Sequence, residues 1–244
     1  MALSSITKKL IMSVSGLFLI LFMLMHSTIN FFAVIDAIKG TWGAPAGEGW
    51  YAGGCWFMAT PVIDIMVPVL ALGFIVHIVY AAILTCGNYK ARGTQRYAIP
   101  HKGKAESWAS KNMFVLGAVV LGLIAFHLTH FWADMQYLEW FKGEHVAPEK
   151  CYFLLEETFK SVWMVILYIV WFGALWFHLT HGFWSALQTI GWSNKIWEKR
   201  LEIAGKALAT LFFVLLTVTA IVAHLVANGC IAGSVLTCCC GGCC

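Results

Sequence analysis

The sequence predicts an all-α integral membrane protein, a bundle of five transmembrane helices, because its composition is strongly apolar and its apolar residues come in long runs. Of its 244 residues, 60% are hydrophobic and only 11% are charged. A soluble domain of this size has more polar surface, whereas about 20 consecutive apolar residues suffice to cross a bilayer as a helix. The net charge of +4 is spread over the loops, which does not indicate nucleic-acid binding.

Five apolar runs are each long enough to span a membrane. They leave only short connections, so we expect one membrane domain over residues 1–230 and a Cys/Gly-rich tail over residues 231–244. The predicted spans, numbered first to fifth, are Leu10–Val34, Ala59–Thr85, Asn112–Asp134, Phe159–Ile190 and Lys206–Ala227.

The first run has one feature of a secretory signal peptide, since Lys8 and Lys9 precede it. It is, however, longer than a signal core and has no clear small-x-small cleavage site. We therefore expect the first run to remain as a transmembrane helix that carries His26.

Charged residues in the connections predict the orientation of the bundle. Basic residues cluster before the first span, between the second and third, and between the fourth and fifth, while most acids lie in the alternate connections. The positive-inside rule then predicts a cytoplasmic N-terminus and an outer C-terminus. The basic residues are Lys8, Lys9, Lys90, Arg92, Arg96, Lys102, Lys104, Lys111, Lys195, Lys199, Arg200 and Lys206.

Nine cysteines are present, and they fall into two groups. Isolated cysteines such as Cys55, Cys86 and Cys151 usually pack as small hydrophobic residues. The terminal cluster, residues 238–240 and 243–244, has adjacent cysteines that fit iron–sulfur ligation poorly, and its last four residues do not match a prenylation box.

Histidine occurs at membrane depth in four of the five spans, at His26, at His77 and in two doublets. Ionisable residues inside a bilayer are costly and are treated as functional by default. With a helical rise of about 1.5 Å per residue, His26 and His127 fall in an outer layer and His77 and His178 in an inner one. Paired imidazoles from four helices predict two haems stacked across the membrane, because imidazole is a good iron ligand. The alternative is that each histidine hydrogen-bonds a neighbouring helix.

The doublets leave the choice of ligand open. The motif FHLTH occurs at residues 126–130 and at 177–181, so two imidazoles lie three residues apart on adjoining parts of one helix face. One imidazole of each doublet ligates iron, while the other bonds a propionate, a quinone or a backbone carbonyl. His130 and His181 are therefore alternates to His127 and His178, or supporting residues.

At residues 176–191, WFHLTHGFWSALQTIG, the chain resembles the cytochrome b membrane-anchor subunit of succinate dehydrogenases and fumarate reductases, in its single-chain, five-helix, two-haem form. The spacing from His178 to Gly182 matches the fourth-helix ligand and its following glycine. The Ser15-Gly16 pair before His26, the position of His77, and HLTHFW at residues 127–132 add to the resemblance, which covers the chain up to the fifth helix.

The resemblance implies that His77 and His178 hold the haem b nearer the iron–sulfur subunit, and that His26 and His127 hold the distal haem b. It further implies a bacterial cytoplasmic membrane, and a flavoprotein subunit and an iron–sulfur subunit on the cytoplasmic face. Electrons from succinate would reduce a membrane quinone, menaquinone by expectation, or flow in reverse to fumarate. The flavin and dicarboxylate sites would lie on the other subunits, and a higher oligomer of the complex stays open.

Related two-haem enzymes handle quinone protons with a carboxylate near the distal haem, and Glu48 is the candidate here, with an ordinary loop acid as the alternative. Some relatives also carry a glutamate two residues before the fourth-helix ligand, where this chain has Trp176. Basic residues of the second-to-third connection, Arg92, Arg96, Lys102 and Lys104, are expected to contact the iron–sulfur subunit or anionic lipid.

Two residues have no assigned role at this point. His224 in the fifth span is expected to be a packing or propionate-facing residue, and Asp64 needs a partner because it is an acid at membrane depth. His101 and His145 are expected in loops. Rival functions are a haem b anchor of a hydrogenase or formate dehydrogenase, a histidine-box di-iron enzyme, and a proton-linked transporter.

Overall fold

The structure is a computed structural model and describes residues 4–92 and 107–232. Within these ranges the secondary structure is helical, and five helices are long and apolar enough to cross a membrane, which confirms the predicted fold class. This is the architecture of a multi-pass membrane protein. The five helices are α1 (Ser5–Lys39), α3 (Pro61–Arg92), α5 (Met113–His130), α7 (Val162–Thr189) and α8 (Glu198–Ala227).

In the described parts of the connections there are four shorter helices. Both acidic connections were expected to be loops, and this was wrong, because they contain α2 (Trp50–Met58), a π-helix (Ala133–Lys142) and α6 (Lys150–Phe159). The third span was also drawn too long: α5 ends at His130. The helix α4 (Trp108–Lys111) precedes α5. His101, Arg96, Lys102, Lys104 and the cysteines of residues 238–244 lie outside the described residues.

The bundle is built around α8. Helices α7 and α8 pack along their length, α1 packs against both, α3 lies against α1, and α5 lies against α7. In the most apolar stretch of each helix, 39% of α8 residues are buried by protein, but only 6% of those in α3 and in α5. Helices α3 and α5 are thus peripheral, and most of their apolar surface faces groups outside the fold.

A buried carboxylate organises the end of the bundle where α1 finishes. Helix α1 ends at Gly40, whose φ of 71° is a left-handed conformation that favours glycine. One turn earlier, Asp36 is fully buried. Its carboxylate accepts four hydrogen bonds, from Thr41 Oγ1 (2.9 Å), Trp50 N (2.9 Å), Tyr51 N (2.7 Å) and Tyr152 Oη (2.6 Å). Asp36 therefore caps the N-terminus of α2 and ties α6 to α1.

A second buried acid, Glu156 of α6, accepts a hydrogen bond from Trp42 Nε1 at 2.8 Å. Together α2 and α6 form a small layer over this end of the bundle. We call this layer the cap. The largest buried apolar cluster includes Tyr51, Tyr152 and Phe159 of the cap and continues into α7 and α8. The cap thus fixes how α1 meets α7 and α8.

We predict that Asp36→Ala destabilises the protein by about 3 kcal/mol, because it leaves four buried or partly buried donors without their charged acceptor. Thermal unfolding in detergent measures the effect. Tyr152→Phe removes one donor and should cost about 1 kcal/mol. Glu144→Ala, an exposed acid at the same end of the bundle, is the matched control and should leave the unfolding temperature unchanged. Equal unfolding temperatures for Asp36→Ala and wild type would contradict the role of the cap.

Candidate functional site

Four histidines meet as two pairs inside the bundle. The inner pair joins His77 of α3 to His178 of α7, with ring centroids 6.4 Å apart and ring planes at 70°. On the α1 side, Ser15 Oγ lies 3.3 Å from His77 Nδ1.

Glycines on two neighbouring helices flank the inner pair. A Cβ atom added at Gly16 of α1 would lie 3.1 Å from His77 Cε1, and one added at Gly117 of α5 would lie 3.4 Å from His178 Cε1. A larger side chain at Gly16 would therefore displace an imidazole. Both glycines let a helix approach the histidine rings closely.

The outer pair joins His26 of α1 to His127 of α5, with ring centroids 5.9 Å apart and planes perpendicular. Each ring is supported by an aromatic residue of its own helix: Phe22 stacks on His26 at 5.3 Å, and Phe131 lies 4.9 Å from His127. Asn30 Nδ2 lies 3.4 Å from His26 Nε2.

Helix α7 also contacts the outer pair, through two aromatic residues beside His127. The rings of Tyr168 and Trp171 lie 6.2 Å and 5.6 Å from the His127 ring. In the part of the chain that the structure describes, His127 Nδ1, Tyr168 Oη and Trp171 Nε1 are buried without a hydrogen-bond partner. Unpaired polar atoms in an apolar interior are costly. One such atom on the His127 ring and two on its neighbours therefore favour a further polar group near His127.

Helix geometry gives the separation of the two pairs. Gly16, beside the inner pair, precedes His26 by ten residues on α1, and Gly117, also beside the inner pair, precedes His127 by ten residues on α5. Ten residues of α-helix rise about 15 Å. Helices α1 and α5 thus both place the inner and outer histidine pairs about 15 Å apart along the bundle.

Each pair bridges helices that stand diagonally across the bundle. Among the described residues, neither α1 with α5 nor α3 with α7 is a pair of helices that packs closely along the backbone. The imidazoles reach across this interior from opposite sides. Each pair is thus a contact between side chains of helices whose backbones do not pack together.

The residues fit a haem held by two histidines. Metal–nitrogen bonds to imidazole are about 2 Å long and the ring centre lies roughly 1 Å behind the nitrogen, so two imidazoles on one metal have centroids about 6 Å apart. The observed 6.4 Å and 5.9 Å agree with this spacing. The Nδ1 atoms of His127 and His178 are also buried without a partner. Among the described residues no three histidines, cysteines or acids meet as a metal-binding group.

The second histidine of each doublet lies differently. His130 Nδ1 lies 3.0 Å from the carbonyl oxygen of Phe126 on its own helix. The His181 ring meets Trp184 edge-on at 5.2 Å, and its Nδ1 is buried without a partner among the described atoms. It is His127 and His178 that face a histidine of another helix, and their ligand role stays a prediction.

Other sequence candidates lie away from the pairs. His224 Nδ1 donates to the carbonyl oxygen of Phe159 at 2.7 Å. Asp64, in the first turn of α3, accepts hydrogen bonds from Gln136 Nε2 (3.0 Å) and Trp140 Nε1 (2.9 Å) of the π-helix. Glu48 is exposed in the turn before α2. Its role with quinone stays a prediction.

Sequence analysis did not single out Gly117, Tyr168 or Trp171 as neighbours of the histidines. A signal for Gly117 was present, since the spacing from Gly16 to His26 recurs from Gly117 to His127. Tyr168 and Trp171 had no such signal, because aromatic residues are common in any transmembrane helix. Trp176 donates from Nε1 to Thr210 Oγ1 of α8 at 2.9 Å.

We predict that Gly117→Leu displaces the His178 ring, because its Cβ alone would already lie 3.4 Å from Cε1, and that a haem held by the inner pair is then lost while one held by the outer pair remains. Gly122→Leu on the same helix is the matched control, because a Cβ at Gly122 meets nothing within 4 Å, and it should keep both haems. A pyridine haemochrome assay against protein concentration measures the ratio. Two haems in Gly117→Leu would contradict the close approach of α5 to the inner pair.

Comparisons with protein-family models, with curated proteins and with solved structures found no match to this chain.

Proposed function

We propose that the chain is the dihaem cytochrome b membrane anchor of a succinate:quinone oxidoreductase, that is, of a succinate dehydrogenase or fumarate reductase. The observation that carries the proposal is the presence of two imidazole pairs, each joining diagonal helices, offset by about 15 Å along the bundle. Two ligand pairs at two depths are what an electron path across a membrane requires. The resemblance of residues 176–191 to this family supports the choice of enzyme.

In this proposal His77 and His178 hold the inner haem b, and His26 and His127 hold the outer one. A haem iron with two histidine ligands has no open position, so when bound it supplies one-electron transfer. The chain's own residues make room for the group and shield it from water. Gly16 and Gly117 leave room beside the inner rings, and aromatic and aliphatic side chains exclude water from both depths.

The outer pair has polar groups suited to a charged edge of its ligand. Tyr168 Oη and Trp171 Nε1 are donors without an acceptor in the described protein, and both belong to the α7 side of His127. A carboxylate at this depth would need such donors, because an unpaired charge in an apolar interior is very costly. We assign them to a propionate of the outer haem.

The distribution of charge supports a position for the proposed partner subunits. Of the sixteen Lys and Arg residues, twelve belong to the N-terminal, second-to-third and fourth-to-fifth segments, at the end opposite the cap. The positive-inside rule favours a cytoplasmic position for that end. The flavoprotein and iron–sulfur subunits dock there, close to the inner pair, and the quinone reacts near the outer pair.

Quinone access is supported by a groove between α1 and α3. It has a volume of about 190 Å³ and an apolar lining that includes Phe22, Met25 and Met58. Since Phe22 also stacks on His26, the groove lies beside the outer pair. A menaquinone would enter through this groove. Glu48, in the turn before α2, is the candidate for proton handling.

A reduced-minus-oxidised spectrum of the purified chain, with its haem-to-protein ratio, tests the cofactor assignment. Two b-type haems per chain are expected. His77→Ala or His178→Ala should lose one haem and keep the other, and so should His26→Ala or His127→Ala, whereas the control His130→Ala keeps both. If His178→Ala retains both haems, His181 is the ligand. A chain without haem would overturn the proposal.

The respiratory assignment needs a separate test. The complex isolated through a tagged anchor should contain a flavoprotein and an iron–sulfur protein, and should couple succinate oxidation to quinone reduction or quinol oxidation to fumarate reduction. A C-terminal reporter should be active outside the membrane. A hydrogenase or formate dehydrogenase anchor would instead isolate with a partner on the outer face and show neither dicarboxylate activity.

A further inference from the structure

Two cysteines meet in the cap, away from the histidine pairs. Cys55 lies in the last turn of α2, and Cys151 lies in the first turn of α6. The two helices are held together by Tyr152, whose ring is 5.2 Å from Tyr51 and whose hydroxyl is 3.4 Å from the backbone nitrogen of Ala52. In this arrangement Cys55 and Cys151 are buried free thiols, near enough for Cys55 to affect the ionisation of Cys151.

Both thiols are enclosed by the cap. Cys151 is 2% exposed and Cys55 is 8% exposed, and both belong to the same buried cluster as Tyr51 and Tyr152. Two cysteines 96 positions apart in sequence are thus brought together by tertiary structure. Two neighbouring thiols in one buried cluster become a disulfide when a movement of their helices brings the sulfur atoms to bonding distance.

The compartment favours oxidation. The cap lies at the end of the bundle opposite the basic connections, which the proposed orientation places outside the cytoplasm. Disulfides form and persist in extracytoplasmic compartments, whereas thiols stay reduced in the cytosol. Cys86, near the other end of α3, would face the reducing side.

We propose that Cys55 and Cys151 form a disulfide that joins α2 to α6 across the cap. A sulfur–sulfur bond forms and two S–H bonds break. The two electrons reduce the disulfide of an extracytoplasmic thiol–disulfide oxidant protein to its dithiol, and the two thiol protons end on that dithiol. The exchange passes through a mixed disulfide that the second cysteine resolves.

The order of events follows from burial. Burial raises the pKa of the Cys151 thiol well above its ordinary value, so in the closed cap it is protonated and unreactive. The bond therefore forms while α2 and α6 are still accessible, and the Asp36 and Glu156 contacts then close over it. The bond constrains a loop of about 100 residues, which stabilises the cap mainly by restricting the unfolded chain.

Differential alkylation tests the proposal on the full chain. Cells are denatured directly in N-ethylmaleimide, then reduced, and the newly freed thiols receive an isotopically distinct maleimide before mass spectrometry. Cys55 and Cys151 should carry the second label and Cys86, the control, the first. An unreduced digest should contain a Cys55–Cys151 linked peptide that disappears on reduction. The proposal is overturned if both Cys55 and Cys151 carry the first label, or if either is linked to another cysteine.

Variants give a second readout. In Cys55→Ser, Cys151 should take the first label, and in Cys151→Ser, Cys55 should do so. Reduction of the wild-type protein should lower its unfolding temperature by about 5–10 °C and leave that of the double serine variant unchanged. The labels do not depend on haem, so a linked, haem-free chain would remove the proposed function and keep the disulfide. An inward-facing C-terminal reporter together with free thiols would overturn the disulfide and the orientation.

Discussion

The bundle depends on one constraint, which is that polar groups away from water must find partners within the protein. Asp36 meets this constraint, because its buried carboxylate accepts four hydrogen bonds and so joins α1, α2 and α6. Its neighbour in the cap, Glu156, accepts from Trp42. The buried carboxylates of the cap are thus matched by donors of the chain itself.

The cap also sets the geometry of the histidines. Asp36 lies ten residues beyond His26 on α1, so fixing Asp36 against α6 fixes the height of His26. Helix α6 leads directly into α7, which carries His178, and α7 packs along α8. The rigid part of the fold therefore contributes one ring to each pair. The other rings, His77 and His127, come from the peripheral helices α3 and α5, which carry little buried surface.

Sequence was sufficient for the five long helices, because length and hydropathy alone decide whether a segment can cross a bilayer. It was also sufficient to sort the histidines by depth, since helical rise converts position into height. It failed for α2, α6 and the π-helix. Helix α2 has nine residues, too few to be stable alone, and depends on Asp36, which is distant in sequence. Contacts such as Gln136 to Asp64 could not be found without the fold.

His224 and the paired histidines differ in the hydrogen-bond partners of their ring nitrogens. His224 does what a packing histidine in an apolar bundle should do, because its Nδ1 donates to the carbonyl oxygen of Phe159 on another helix. In each pair, by contrast, one ring has a side-chain neighbour, Ser15 for His77 and Asn30 for His26. The opposite rings, His178 and His127, have a buried Nδ1 without a partner in the described protein. If these histidines served only to join helices, they should resemble His224. Their unpaired nitrogens and the 6 Å spacing of the rings instead favour a ligand that the polypeptide does not supply.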